Sequence, residues 1–158
     1  MKINKEKVFI KQELGRSMVE MLGVLAIIGV LSIGGILGYT IAMNRHRTNE
    51  ILNGVLQRAY LVAAQIASGR TPSLAEFEND DIAGGTFDKN VITLTDEFAI
   101  KVSGVNAAVC KNMLHLASEP NTIKSITKEY DIDNPLLETD CDGGNNNFFI
   151  VFNKDLSL

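Results

Sequence analysis

"QELGRSMVEMLGVLAIIGVLSIGGILGYTIAMNR", residues 12–45, decides how the rest of the chain is read. From Met21 to Asn44 it holds 24 residues without a charge. Uncharged apolar runs of about 18 residues or more predict a helix that crosses a membrane. At about 1.5 Å per residue this one reaches about 36 Å, enough for a hydrocarbon core of about 30 Å. A secretory signal peptide is the competing reading, but its apolar part is usually about 7–15 residues long and ends at a small-x-small cut site. Here Ser32-Ile33-Gly34 matches such a site poorly and apolar residues continue past it. The run is therefore read as an anchor.

Charge divides the flanks. Residues 1–15 carry four Lys and two Glu, a net of +2, whereas the chain from Thr48 onward carries 8 Lys/Arg and 16 Asp/Glu, a net of −8. A basic tip, an apolar rod and an acidic body follow one another, within 158 residues that suffice for one small domain. The acidic body argues against nucleic acid as a partner, because phosphate binding needs clustered Lys and Arg. Lys2, Lys5, Lys7, Lys11 and Arg16 precede the run, against Arg45 and Arg47 after it. The positive-inside bias thus predicts a single-pass protein with its N-terminus in the cytoplasm and the body exported. Arg45-His46-Arg47 reads as an interfacial anchor.

Glu20 breaks the pattern. A carboxylate deep in a spanning helix costs a few kcal/mol on insertion scales, and less near an interface. Two readings stay open on the residues alone. Glu20 marks the cytoplasmic edge, four residues from Arg16 and in the less favourable order for a helical pair. Alternatively, it seeks a positive partner on another chain.

Gly15-Arg16-Ser17-Met18-Val19-Glu20-Met21-Leu22, between a short basic leader and a long apolar helix, resembles the prepilin processing site of type IV pilins and the related type II secretion pseudopilins. The resemblance covers roughly the first third of the chain. It implies a leader over residues 1–15, cleavage between Gly15 and Arg16 by a membrane prepilin peptidase, and N-methylation of Arg16. It implies that Glu20 acts in assembly by attracting a neighbouring subunit's N-terminal amine. It further implies a homo-oligomeric helical filament, an assembly platform in the bacterial inner membrane, and final residence in a periplasmic or cell-surface pilus. One position departs from the pattern. The first mature residue is usually apolar in the family, and here it is Arg16, which also offers Glu20 a cation in its own chain.

The expected fold is α+β: a long N-terminal helix packed on a small antiparallel sheet, as in pilins. The expected segments are a transmembrane and assembly helix over 16–44, its amphipathic continuation over 45–68, and a globular head over 69–158 with an αβ-loop and a disulfide-bounded C-terminal region. In the continuation, Leu52, Val55, Leu56, Ala59, Val62, Ala63 and Ile66 form one stripe at three-and-four spacing. Ser68-Gly69 and Pro72 stop it. A helix from Ser17 to Ser68 would be about 78 Å long. Gly23, Gly29, Gly34, Gly35 and Gly38 interrupt the apolar half. Gly is poor in helices in water but permits close packing in membranes. The family often carries a Pro in this region; in its absence the glycines are expected to allow local unwinding in a filament. A filament reconstruction with unbroken helix from Gly29 to Gly38 would contradict that.

Beyond Gly69, "TPSLAEFENDDIAGGTFDKN" reads as polar and turn-rich, with Ser73-Leu74-Ala75-Glu76 as a capping box for one short helix. "VITLTDEFAIKVSGV" reads as a hairpin about Thr95-Asp96. "NAAVCKNMLHLASE" reads as a helix capped by Asn106 and closed before Pro120. A strand is expected within "NTIKSITKEYDI", a loop over "DIDNPLLETDCDGGNNN", and a central strand, apolar on both faces, at Phe148 to Phe152.

Cys110 and Cys141, if exported, face an oxidising space, where a disulfide is the default over two free thiols. "FAIKVSGVNAAVCKNML" resembles the segment of type IVb pilins in which a strand leads into a Cys-bearing helix, with a second Cys shortly before the last strand. That favours a type IVb-like subunit over a pseudopilin. Asp131, Asp133, Glu138, Asp140 and Asp142 surround Cys141. Calcium would need six to eight oxygens, their spacing does not fit an EF-hand, and a solvated acidic loop is the preferred reading. His46 and His115 lack zinc-ligand partners. Gly84-Gly85 and Gly143-Gly144 lack the Lys and helix of a phosphate-binding loop. No catalytic constellation, cofactor or metal is expected. The rivals to a pilus subunit are a type II secretion pseudopilin and an anchored periplasmic binding domain that never polymerises.

Overall fold

The structure is a computed structural model that describes residues 5–77, 80–117, 122–128 and 135–156, without the side chains of residues 5–17 and Glu138. The expected α+β arrangement is present: a long N-terminal helix packs through its C-terminal part on a small antiparallel sheet of five strands. The chain divides into two units, Met1–Ala42 and Met43–Leu158.

Helix α1 spans Lys5–Ala67 and so begins well before Ser17. The chain offers no helix breaker between Lys5 and Gly15, and Lys, Glu, Gln and Leu are good helix formers. The C-terminal stop is the expected one. Gly69 takes φ 72°, a left-handed conformation that costs a residue without Cβ little. The Arg70 N–H then donates to Gln65 O at 3.0 Å and the Gly69 N–H to Ile66 O at 2.9 Å, a Schellman cap.

In the second unit, strands β1 (Asp81–Ile82), β2 (Gly85–Thr93), β3 (Glu97–Val105), β4 (Ile123–Thr127) and β5 (Asn146–Asn153) are ordered β1-β2-β3-β5-β4, every pairing antiparallel. Helix α2 spans Ala107–Ala117. Asn106 caps it as expected, its Oδ1 accepting from the Val109 N–H at 2.9 Å. Strand β5 lies between β3 and β4, and its residues Phe148, Ile150, Val151 and Phe152 are all buried, as a central strand requires. Phe152 faces Phe98 across the ladder and their rings stack at 5.3 Å. On α1, Ile51, Val55, Ala59 and Val62 form the buried stripe and join these aromatics and Val109, Cys110 and Met113 of α2 in one core.

Three expectations are corrected. The segment read as turn-rich holds β1 and the start of β2, joined by a two-residue turn in which Ala83 and Gly84 take φ of 55° and 90°. That is the primed geometry that matches strand twist, delivered by Ala-Gly rather than the commoner Asn-Gly. The capping box does not form. Ser73 Oγ accepts from the Ala75 N–H at 3.3 Å, two residues on, and only a three-residue 3-10 helix, Ala75–Phe77, follows. The reciprocal partner is Gln65 of α1: its Oε1 accepts from the Ser73 N–H at 2.9 Å and its Nε2 donates to Ser73 O at 3.2 Å. The loop over 131–147 also contains a short 3-10 helix, Glu138–Asp140, and the first residues of β5. Pro120, Asp131 and Asp133 lie outside the described residues.

Sequence reading also passes over Arg58. It sits three residues after Val55 and four before Val62, on the apolar stripe itself, which is the signal that could have found it. Its side chain is almost fully buried, the guanidinium carbon 4.1 Å from the Phe87 ring centre and 4.9 Å from that of Phe77. Nη2 donates to Asp80 Oδ2 at 2.8 Å and Nη1 to Gly54 O at 3.1 Å. Burial pushes this guanidinium below the usual arginine range, against the opposing pull of Asp80. Gly54 leaves room for this arrangement. A Cβ there would stand 2.7 Å from Ile82 Cδ1 and 3.3 Å from Arg58 Nη1. Gly54→Leu is therefore expected to lower stability by about 1–3 kcal/mol, read by denaturant unfolding of the full chain in detergent. Unchanged stability would mean that the β1–β2 turn shifts freely.

Candidate functional site

The first unit presents an apolar surface. Every large apolar side chain from Met18 to Ile41 is exposed, none by less than 53%. They cover the helix all round, and α1 carries an 18-residue window of mean hydropathy 2.4 with none of it buried. It is thus one helix near the N-terminus long and apolar enough to span a membrane. Two hydroxyls within the run bond back to the helix itself. Ser32 Oγ donates to Ile28 O and Thr40 Oγ1 to Leu37 O, each at 2.8 Å. Such back-bonding lets a hydroxyl enter hydrocarbon without an unmet hydrogen bond. Gly23, Gly29, Gly34, Gly35 and Gly38 have no neighbouring atom within 4 Å of where a Cβ would stand, so nothing within the chain requires glycine there.

Gly15 and Arg16 lie within α1, and the Arg16 side chain is outside what the structure describes. Glu20 is exposed at the start of the apolar surface. The backbone thus places Gly15 and Arg16 on one turn of the helix and Glu20 on the next, as their spacing predicts.

Of the expected site residues in the second unit, Cys110 and Cys141 are joined in a disulfide with a Cα–Cα distance of 5.9 Å. The bond ties α2 to the loop before β5. Asn146 organises the same loop. It is buried, its Nδ2 lies within 3.2 Å of Val105 O, Asp142 O and Gly144 O, and its Oδ1 accepts from the Asp142 N–H at 2.9 Å. Of Asp140 and Asp142, considered for calcium, the backbone carbonyl of the first and the carboxylate of the second accept from Lys128 Nζ, each at 3.1 Å, and Asp140 Oδ2 accepts from the Leu137 N–H at 3.0 Å. Among the described residues no three His, Cys, Asp or Glu side chains are grouped to hold a metal. His46 Nε2 lies 3.8 Å from Glu50 Oε1, one helical turn away. His115 is on the last turn of α2. Compared with protein-family models, curated proteins and solved structures, the chain finds no match.

Proposed function

We propose that the chain is the prepilin of a type IV pilus, type IVb-like, cut after Gly15 and polymerised through its apolar helix. The observation that carries this reading is the exposure of every large side chain from Met18 to Ile41. An apolar surface on all faces of a helix does not stay in water; it is covered by lipid or by other helices. A pilin helix uses both covers in turn, first as an anchor and then as the centre of a filament of identical copies. Gly15 and Glu20, at the spacing the prepilin signature needs, supply the cut and the assembly carboxylate. The glycines support close approach of neighbouring helices, since nothing in their own chain accounts for them. The disulfide between α2 and the loop before β5 favours the type IVb reading over a pseudopilin.

The test is the mature N-terminus, read by mass spectrometry on chain recovered from cells that carry the peptidase. The expected species begins at Arg16 with a methylated amine. Chain that retains Met1 in the presence of active peptidase contradicts the proposal and leaves the anchored binding domain.

A further inference from the structure

The second unit contains a cleft of about 470 Å³ between α1 and α2, lined by Arg45, Thr48, Asn49, Asn112, His115 and Leu116. That size falls in the range of small-molecule sites, about 300–1,000 Å³. Among the described residues the lining holds one full positive charge, two amides and an imidazole, and no carboxylate, although the chain from Thr48 onward carries a net of −8. Among the described residues the side chains of Arg45, Asn49 and Asn112 have no hydrogen-bond or ion-pair partner. Thr48 is fully buried and spends its hydroxyl on Asn44 O at 2.8 Å, so it forms wall rather than donor. A guanidinium fork and two carboxamides that line one cleft, with no acid among the described lining residues, suit a multi-oxygen anion. Leu116 adds an apolar wall beside them. Arg45 is also the first charge after the uncharged run, so in a membrane-anchored chain it falls at headgroup depth.

We propose that this cleft binds a phosphate group, supplied in the membrane by the phosphodiester of an anionic lipid headgroup. The lipid source rests on the anchor reading given above; the oxyanion chemistry rests on the lining alone. A tetrahedral phosphodiester splays its oxygens out of one plane, whereas a carboxylate holds both of its oxygens in one; donors on two different helices therefore favour it over an acidic side chain of a second copy.

The test uses the full chain in nonionic detergent, with side-chain Arg and Asn N–H signals followed by NMR. Dihexanoyl-phosphatidylglycerol, dihexanoyl-phosphatidylcholine and inorganic phosphate are titrated separately. Saturable shifts at Arg45, Asn49 and Asn112 are expected with phosphatidylglycerol. Arg45→Gln should weaken binding about tenfold or more, as loss of a charge-assisted pair predicts, and Arg70→Gln should not. Equal affinity for inorganic phosphate would keep the site and move its source to the free ion. Absence of saturable shifts with all three, or shifts indifferent to Arg45→Gln, overturns the proposal. So do shifts that follow protein concentration without added anion, which would assign the cleft to a second copy. Insertion into vesicles of phosphatidylcholine and phosphatidylglycerol is scored separately by flotation. Failure to insert would fall on the anchor reading and leave the detergent result standing.

Discussion

Glu20→Ala is expected to yield chain that inserts in the membrane and loses its leader at wild-type levels, yet gives no filaments by electron microscopy. The reason lies in the cost of charge in an apolar setting. Glu20 stands exposed at the start of a helix surface that carries no other charge until Arg45. When such helices bundle, a carboxylate there is costly unless it meets a cation, by a few kcal/mol on insertion scales. Under the proposed assembly that cation is the new amine of a neighbouring subunit, so the pair forms only in the correct register. Alanine removes the cost and with it the register signal, leaving the helix a good anchor and a poor fibre component. Glu20→Gln separates charge from shape: it keeps the side chain's size, loses the ionic partner, and should fail like alanine. Arg16 sharpens the test, because its guanidinium offers Glu20 an alternative within the same chain. Arg16→Met, which restores the apolar residue usual at this position, is expected to raise filament yield, not lower it. Filaments at wild-type yield from processed Glu20→Ala chain would remove Glu20 from the assembly mechanism.

Removing the disulfide is expected to have the largest effect on the second unit. The bond closes a loop with a sequence separation of 31, for which the chain-entropy model gives about 3–4 kcal/mol. Both half-cystines are buried, Cys110 at 1% and Cys141 at 7% exposure, so the bond also fills core volume. Loss of about 3–4 kcal/mol from a unit of this size should lower Tm by on the order of 10–20 °C. The Cys110→Ala/Cys141→Ala chain and the reduced wild-type chain should melt close together, and both far below the oxidised protein. A double variant within a few degrees of wild type would show that Asn146 and the α2 cap hold the C-terminal loop without the bond. The neutral outcome for filament yield is informative too: full yield from the destabilised chain would separate head stability from assembly.

The local signals in this chain were legible where one residue type has one physical use. An uncharged run of this length specifies a helix long and apolar enough to span a membrane, and Gly69 followed by Pro72 specifies its stop. Asn106 specifies a helix start because its side chain can meet the Val109 N–H, and it does. The run from Phe148 to Phe152, apolar on both faces, specifies a central strand, and β5 is one. Two cysteines leave one intramolecular pairing. Other features depended on partners distant in sequence. Ser73 was free to cap its own helix, but Gln65, eight residues back on α1, holds its backbone instead. The β1–β2 turn uses Ala83 in a conformation its side chain disfavours, accepted because the strands on either side fix it.

The amino-acid sequence by itself determined the division into basic tip, apolar rod and acidic body, the stop of α1 at Gly69, the start of α2 at Asn106 and the central place of β5. These follow from hydration, reach and backbone preference, all of which act within a few residues. Only the tertiary structure decided what those residues face. It turned Arg58 from a charge on an apolar stripe into a buried clamp between Phe77, Phe87 and Asp80. It brought Lys128 to the Asp140 carbonyl and the Asp142 carboxylate, and set Arg45 and Asn112 in the lining of one cleft. Each of those outcomes needs side chains far apart in sequence to meet, and that is settled by the packing of the whole unit, not by any stretch within it.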